Sequence, residues 1–325
     1  MKAVVCNGSG GTEVLQLADV PEPVPGAREV LIDVRATALN RADLLQRRGL
    51  YPPPPGATDI LGLECSGVVA ANGPGAGRFP IGTRVMALLP GGGYAERVAV
   101  HEDILLPVPE RLSFEQAAAV PEAFLTASEA LLVEAELQQG QRVLVTAAAS
   151  GVGSAAVQIA KHRGAFVLGS ASAGKLTTVS GLGADLALDR ERADFVDALR
   201  DATGGRGVDA ILDFVGASAL ARHQACLAER GRLVLIGLLG GAAAPLELGR
   251  ILMKRQRICG LVMRSRSVAE KIELTARFQR ELWPALDGGA LSPVVHEILP
   301  LADVAAAHTR MEQNLNGGKI VLRLS

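Results

Sequence analysis

The residues that point first to chemistry lie mid-chain. Val143-Leu144-Val145-Thr146 reads as a strand, Ala147-Ala148-Ala149-Ser150-Gly151-Val152-Gly153-Ser154 as a turn of small residues, and Gly153 to His162 carries apolar positions at helical spacing. Small side chains let a backbone approach a pyrophosphate, and the N–H groups of the following helix receive it. Ser150, Gly151, Val152 and Gly153 are therefore candidate phosphate contacts. Ala148 and Ser150 stand where a strict G-x-G-x-x-G pattern has its first two glycines, and an ordinary tight turn also uses glycine. The repeating strands downstream favour the dinucleotide reading. An acid ~20 residues after the glycines would bind the ribose hydroxyls of NAD, yet no Asp or Glu occurs between Glu136 and Asp185. The expected position falls in Gly169-Ser170-Ala171-Ser172-Ala173-Gly174-Lys175. Ser170 or Ser172 could donate to a 2′-phosphate, Lys175 could supply charge, and Arg190, after the next strand, could close the site. A Lys175 that is only a solvated surface charge is the alternative. NADPH is expected over NADH.

These residues need a framework. From about Ser113 to Arg264, strand-like and helix-like stretches alternate: Val143–Thr146, Ala165–Leu168, Asp209–Phe214 and Arg232–Ile236 are the strands. That alternation implies a parallel sheet covered on both faces. Before it, short β-branched runs (Ala3–Cys6, Val30–Val34, Gly67–Ala70) are separated by Gly and Pro clusters, as in a compact sheet with long loops. Pro52 to Pro55 favour a stiff, extended loop after Tyr51. A helix is expected near Val268–Leu286 and a last strand at Lys319–Leu322.

Bulk properties exclude several classes. The 325 residues suit roughly two domains. Lys+Arg of 33 against Asp+Glu of 34, with 3% aromatics, argues against a nucleic-acid surface. Cys6, Cys65, Cys226 and Cys259 form no Cys-x-x-Cys pair and read as free or buried thiols. No secretory core or membrane span is legible, so a cytoplasmic setting is expected.

Longer motifs carry a resemblance. Asn40-Arg41-Ala42-Asp43-Leu44-Leu45-Gln46-Arg47-Arg48-Gly49-Leu50-Tyr51 with Pro52–Gly56, Leu61–Gly67, Val85–Glu96, Ser150–Gly153, Thr203–Asp209, Gly231–Gly237 and Gly318–Leu322 span essentially the whole chain. Together they resemble the zinc-free quinone oxidoreductases of the medium-chain dehydrogenase/reductase superfamily, nearest the p53-inducible quinone oxidoreductase subgroup. The resemblance implies an α/β protein with a β-rich GroES-like catalytic domain (1–121 and 266–325) and a Rossmann doubly wound parallel-sheet domain (122–265). It implies that Asn40 and Asp43 shape the nicotinamide side of the site and that Tyr51 faces cofactor and substrate. Thr126 matches a nicotinamide-ribose or carboxamide contact. Val215, Gly216 and Ser218 match a cofactor loop, Gly237, Leu238 and Leu239 the backbone passing the nicotinamide ring, and Lys319 a basic residue near the cofactor. Arg190 replaces a tyrosine that relatives often place against the 2′-phosphate.

Zinc-dependent relatives carry Cys where this chain has Asn40, His where it has Leu63, and their third ligand at the position of Glu122. Two of those positions are poor zinc donors, so no metal is expected. The five histidines show no ligand spacing and read as surface or locally bonded groups, and Glu64 reads as structural. The implied activity is hydride transfer from NADPH to a quinone, which needs positioning more than polarisation. Tyr51 or solvent would deliver the proton; packing on the cofactor is the other role open to Tyr51. An NADPH-dependent enone or alkenal reductase is the alternative enzyme, and a cofactor-binding protein with an RNA-binding role the alternative of another class. Gln256–Met263 is expected as a Rossmann edge strand pairing two copies into a homodimer.

Overall fold

Strands account for most of the ordered framework: β1 (Lys2–Cys6), β2 (Leu15–Asp19), β3 (Glu29–Ala38), β4 (Glu64–Asn72), β5 (Arg84–Leu88), β6 (Arg97–His101), β7 (Leu105–Pro107), β8 (Arg142–Val145), β9 (Phe166–Ala171), β10 (Leu186–Asp189), β11 (Val208–Asp213), β12 (Leu227–Leu235), β13 (Arg257–Gly260), β14 (Val295–Pro300) and β15 (Lys319–Arg323). The computed structural model describes residues 1–324. They divide into two units, Met1–Leu125 with the stretch from Met263 onward, and Thr126–Val262.

In the first unit seven strands form one sheet, β14-β15-β3-β4-β5-β7, with β6 also paired to β3. β3 is the hub, antiparallel to β4, β6 and β15. Its inward positions Val30, Ile32 and Val34 join Val69, Val85, Leu105, Ile320 and Leu322 in one buried cluster. This is the compact sheet with long loops expected from the β-branched runs, and the GroES-like fold that the resemblance implied. One pairing matters most for the site: Val321 opposes Ala38 and the Leu39 amide donates to the Ile320 carbonyl (2.9 Å). The chain end is thereby laid beside Asn40.

The second unit is a six-stranded, all-parallel sheet in the order β10-β9-β8-β11-β12-β13. This is the doubly wound Rossmann order, whose switch point lies between β8 and β11. Val143, Leu144 and Val145 of β8 and Ile211 and Leu212 of β11 are fully buried, as expected of strands covered on both faces. The helix Gly151–His162 packs Ala155, Ala156, Ile159 and Ala160 inward.

Two expected elements are corrected. The single helix near Val268–Leu286 is two, Val268–Glu281 and Trp283–Asp287, because Pro284 lacks the N–H that would carry the first helix on. The edge strand is shorter than Gln256–Met263, covering Arg257–Gly260. Pro52 to Pro54 lie in neither helix nor strand, followed by a turn at Pro55–Gly56.

Candidate active site

Asn40 sits where β3 gives way to the helix Arg41–Arg47 and is 8% exposed. Its Nδ2 donates to Glu64 Oε1 (2.9 Å) and to the Ala38 carbonyl (3.2 Å), while its Oδ1 accepts from Lys319 Nζ (2.7 Å). The same ammonium lies 2.5 Å from Glu64 Oε1. Glu64 Oε2 accepts the Glu122 amide (2.8 Å). Lys319 and Glu64 are both buried, so their charges are met by each other, by Asn40 and, for Glu64, by the Glu122 amide. Asp43, fully buried, accepts the amides of Asn40 (2.7 Å) and Gly62 (3.1 Å). Burial raises its carboxyl to about 6 although those amides pull the other way.

Behind Asp43 runs a buried chain. The Tyr94 hydroxyl donates to Asp43 Oδ2 (3.3 Å) and lies 3.3 Å from His308 Nε2, and Arg47 Nη1 lies 3.1 Å from His308 Nδ1. Arginine only donates, so Nδ1 accepts and the proton sits on Nε2. Burial, reinforced by Arg47, holds His308 down at about 3, hence neutral. Arg47 is ion-paired with Glu312. His308 is thus neither surface nor local: it joins residues far apart in the chain.

On the other side stands Tyr51, half-buried. Arg264 lies over its ring (5.3 Å) and donates to the Tyr51 carbonyl (3.0 Å), the Pro90 carbonyl (2.8 Å) and Gln46 Oε1 (2.6 Å). Lys271 Nζ donates to the Arg264 carbonyl (2.8 Å). Burial raises the Tyr51 phenol and the negative charge of Glu122 adds to it, against Arg264. Burial, then the charge of Glu64, pushes Glu122 up to about 8. Glu122 and Tyr51 therefore both hold a proton at neutral pH. Arg264, Lys271 and His308 carried no motif signal, and Tyr94, inside the Val85–Glu96 motif, was given no role; only their convergence in space marks them.

In the second unit, the turn after β8 takes the expected form. Ser150 caps the helix, its Oγ accepting the Gly153 amide (3.0 Å). The first-turn amides of Gly151 and Val152 remain directed off the helix end. Gly153 is required, since a Cβ there would lie 2.3 Å from the Ala147 carbonyl. Thr126, on the helix Pro121–Ser128, is 4% exposed, and its Oγ1 has no hydrogen-bond partner among the described residues. Val215, Gly216 and Ser218 lie against Gly240 and Gly241, just beyond Gly237, Leu238 and Leu239. Leu238 and Leu239 are more than half exposed.

The other predicted residues gather at the ends of β9 and β10. The Arg190 amide donates to the Ala171 carbonyl (2.9 Å). Ser172 opens the short turn Ala173–Lys175, and Ser172 and Lys175 are half-buried. Ser170 is 3% exposed inside the sheet, so Ser172 is the serine that reaches the surface here. Arg190 Nε donates to Glu191 (2.9 Å). Arg222, not singled out from the sequence, donates to the Arg190 carbonyl (2.8 Å) and stacks on Phe195 (4.5 Å).

Comparison with known proteins agrees with this fold. Residues 26–110 match the alcohol dehydrogenase GroES-like domain and residues 151–278 the zinc-binding dehydrogenase family. Quinone oxidoreductase from Sus scrofa is 32% identical, covering 100% of this chain and 98% of its own. The chain belongs to the medium-chain dehydrogenase/reductase superfamily. Solved members of the superfamily superpose over the full length. A mycobacterial protein complexed with NADPH (32% identity, TM-score 0.89) and an NAD-dependent alcohol dehydrogenase (35%, 0.88) each cover 100% of both chains. The CurK enoyl reductase (29%, 0.88) covers 100% of this chain and 99% of its own. The superfamily binds a nicotinamide cofactor, and the residues present fit one: an orphaned buried hydroxyl at Thr126, a helix end with free amides, and a Cβ-free Gly153. They do not fit the catalytic zinc of superfamily members that hold one. Asn40 is held by both ends of its amide, Leu63 is a buried apolar residue, and the cation beside Glu64 is already an ammonium.

Proposed function

We propose that this protein reduces quinones by hydride transfer from NADPH without a metal, as a soluble cytoplasmic homodimer nearest the p53-inducible subgroup. The observation that carries the reading is the Lys319–Glu64–Asn40 triad, built on Asn40, which stands where zinc-dependent relatives carry a cysteine. A substrate suited to such a site must accept hydride without a Lewis acid, and a quinone does, because reduction makes its ring aromatic. A bound reduced nicotinamide supplies the hydride. The chain's own residues orient and protonate. In the first unit Asn40 and Asp43 set the nicotinamide side, and Tyr51 or Glu122 donates the proton that the reduced oxygen needs; in the second, Thr126 offers its hydroxyl to the nicotinamide ribose or carboxamide. Arg264 holds the Tyr51 ring and its loop in place.

The choice of NADPH turns on this chain's own residues, since one solved relative carries NADPH and another is named NAD-dependent. Ser172 and Lys175 follow β9 and Arg190 follows the paired β10, and the loop after β9 carries no acid. Lys175→Ala should raise the KM for NADPH about tenfold, the worth of one charge-assisted contact, and leave that for NADH unchanged. Equal loss for both would remove Lys175 from phosphate binding.

The likeness to an enoyl reductase supports a second reading, reduction of an activated double bond with the same cofactor geometry. Steady-state rates with both cofactors on a panel of quinones and alkenals decide. Quinone kcat/KM well above alkenal supports the first reading, the reverse order the second, and no turnover on either panel overturns both.

A further inference from the structure

Asp213 closes β11 and is fully buried. Its Oδ1 accepts the amides of Val215 (2.7 Å) and Gly216 (3.1 Å). Its Oδ2 lies 2.9 Å from His223 Nδ1, with His223 only 1% exposed. A carboxylate oxygen accepts, so Nδ1 carries the proton. At the neighbouring strand, the Thr146 hydroxyl donates to the Leu212 carbonyl (3.1 Å) and accepts the Phe214 amide (2.9 Å), joining the end of β8 to the same loop. Farther along, the amides of Ala217 and Ser218 donate to the carbonyls of Gly241 (3.0 Å) and Gly240 (3.1 Å), and the Gly240 amide donates to Val215 (2.7 Å). Gly216 has φ 75°, and a Cβ there would lie 2.9 Å from the Gly241 carbonyl. The loops after β11 and β12 are therefore one interlocked piece, with the Asp213–His223 pair at its base.

A buried carboxylate–imidazole pair is a poor source of stability, because two apolar side chains would fill the same space at lower desolvation cost. What the pair does supply is direction: three donors on one carboxylate leave the Val215–Gly216 backbone a single orientation. We propose that His223, acting through Asp213, is a positioning residue for the nicotinamide end of the cofactor site, setting the Val215–Ser218 loop and, through it, the Gly237–Leu239 backbone. This rests on the nicotinamide reading above. The ring end is common to NADPH and NADH, so its loss weakens both alike, unlike a change at Lys175.

The test compares His223→Leu, which removes the donor, with His223→Asn, whose amide N–H stands where Nδ1–H stood. Calorimetric titration of the His223→Leu protein should show both NADPH and NADH bound about tenfold more weakly. Backbone amide exchange at 214–217 should quicken in the nucleotide-free protein. His223→Asn should stay within about threefold of wild type. Should His223→Leu fail to fold, Asp213→Asn, which keeps an acceptor for the two amides and turns a donor toward Nδ1–H, must show the same losses. The proposal is overturned by a folded His223→Leu protein with wild-type affinities, by His223→Asn as weak as His223→Leu, or by weakening confined to NADPH. A wild-type chain that takes up neither nucleotide overturns the nicotinamide reading and the clamp with it; normal uptake with an indifferent His223→Leu protein overturns the clamp alone.

Discussion

Tyr51 and Glu122 are the protic groups of the proposed site whose surroundings keep them protonated, and both effects begin with burial. If Tyr51 donates to the reduced substrate, Tyr51→Phe should lower kcat about a hundredfold with little change in NADPH affinity; unchanged turnover would leave the tyrosine a packing role. Glu122 gives up its proton at about 8. As an acid it works in the protonated form, so quinone turnover should fall as pH rises through that value, and the fall should vanish in Glu122→Gln. A limb that persists in the variant assigns the titration elsewhere. Tyr51 came from a motif, whereas the significance of Glu122 as an acid did not: a carboxylate's pKa depends on how much water and which charges surround it.

At the scale of elements, the helix Arg41–Arg47 and the helix Val304–Glu312 are tied by the Arg47–His308–Tyr94–Asp43 chain. His308 is neutral in the fold down to about 3, while an unfolded chain protonates it near its ordinary value of 6.5. Between those values the unfolded state binds the extra proton, so the contribution of His308 to stability is complete above 6.5 and is lost as pH falls toward 3. Asp43, raised to about 6, acts in the opposite sense from its ordinary value of 3.8 upward. The comparison must therefore be between proteins. Urea unfolding of wild type and His308→Gln should differ most at pH 7.5, and the gap should narrow on acidification by up to about 1.4 kcal/mol per unit below 6.5. A gap independent of pH would mean that His308 takes up its proton alike in the folded and unfolded chains.

For the whole molecule, β13 is an edge, exposed at its ends and half-buried between them, and near it in sequence Leu248, Leu252 and Met253 on the helix Leu248–Lys254 are 72%, 76% and 80% exposed. An unpaired parallel edge beside apolar surface invites pairing with a second copy. In the proposed dimer, light scattering should give twice the 33.7 kDa chain mass. Leu252→Glu with Ile258→Lys should shift it to one chain mass; a wild-type monomer would remove the proposal.

The amino-acid sequence by itself determined the parallel sheet, because β8, β11 and the end of β12 are apolar and are followed by small residues, and it determined the turn at Ser150–Gly153, because that turn is local. It also showed that the loop after β9 lacks an acid. Strands such as β6 and β14 went unread, since their half-buried alternation resembles surface sequence. The Lys319–Asn40 contact spans 279 positions and exists only because β15 lies antiparallel to β3. The same holds for Arg264 over Tyr51 and for His308 against Arg47. Charge satisfaction and proton affinity are properties of a neighbourhood, and for these residues folding alone assembles it.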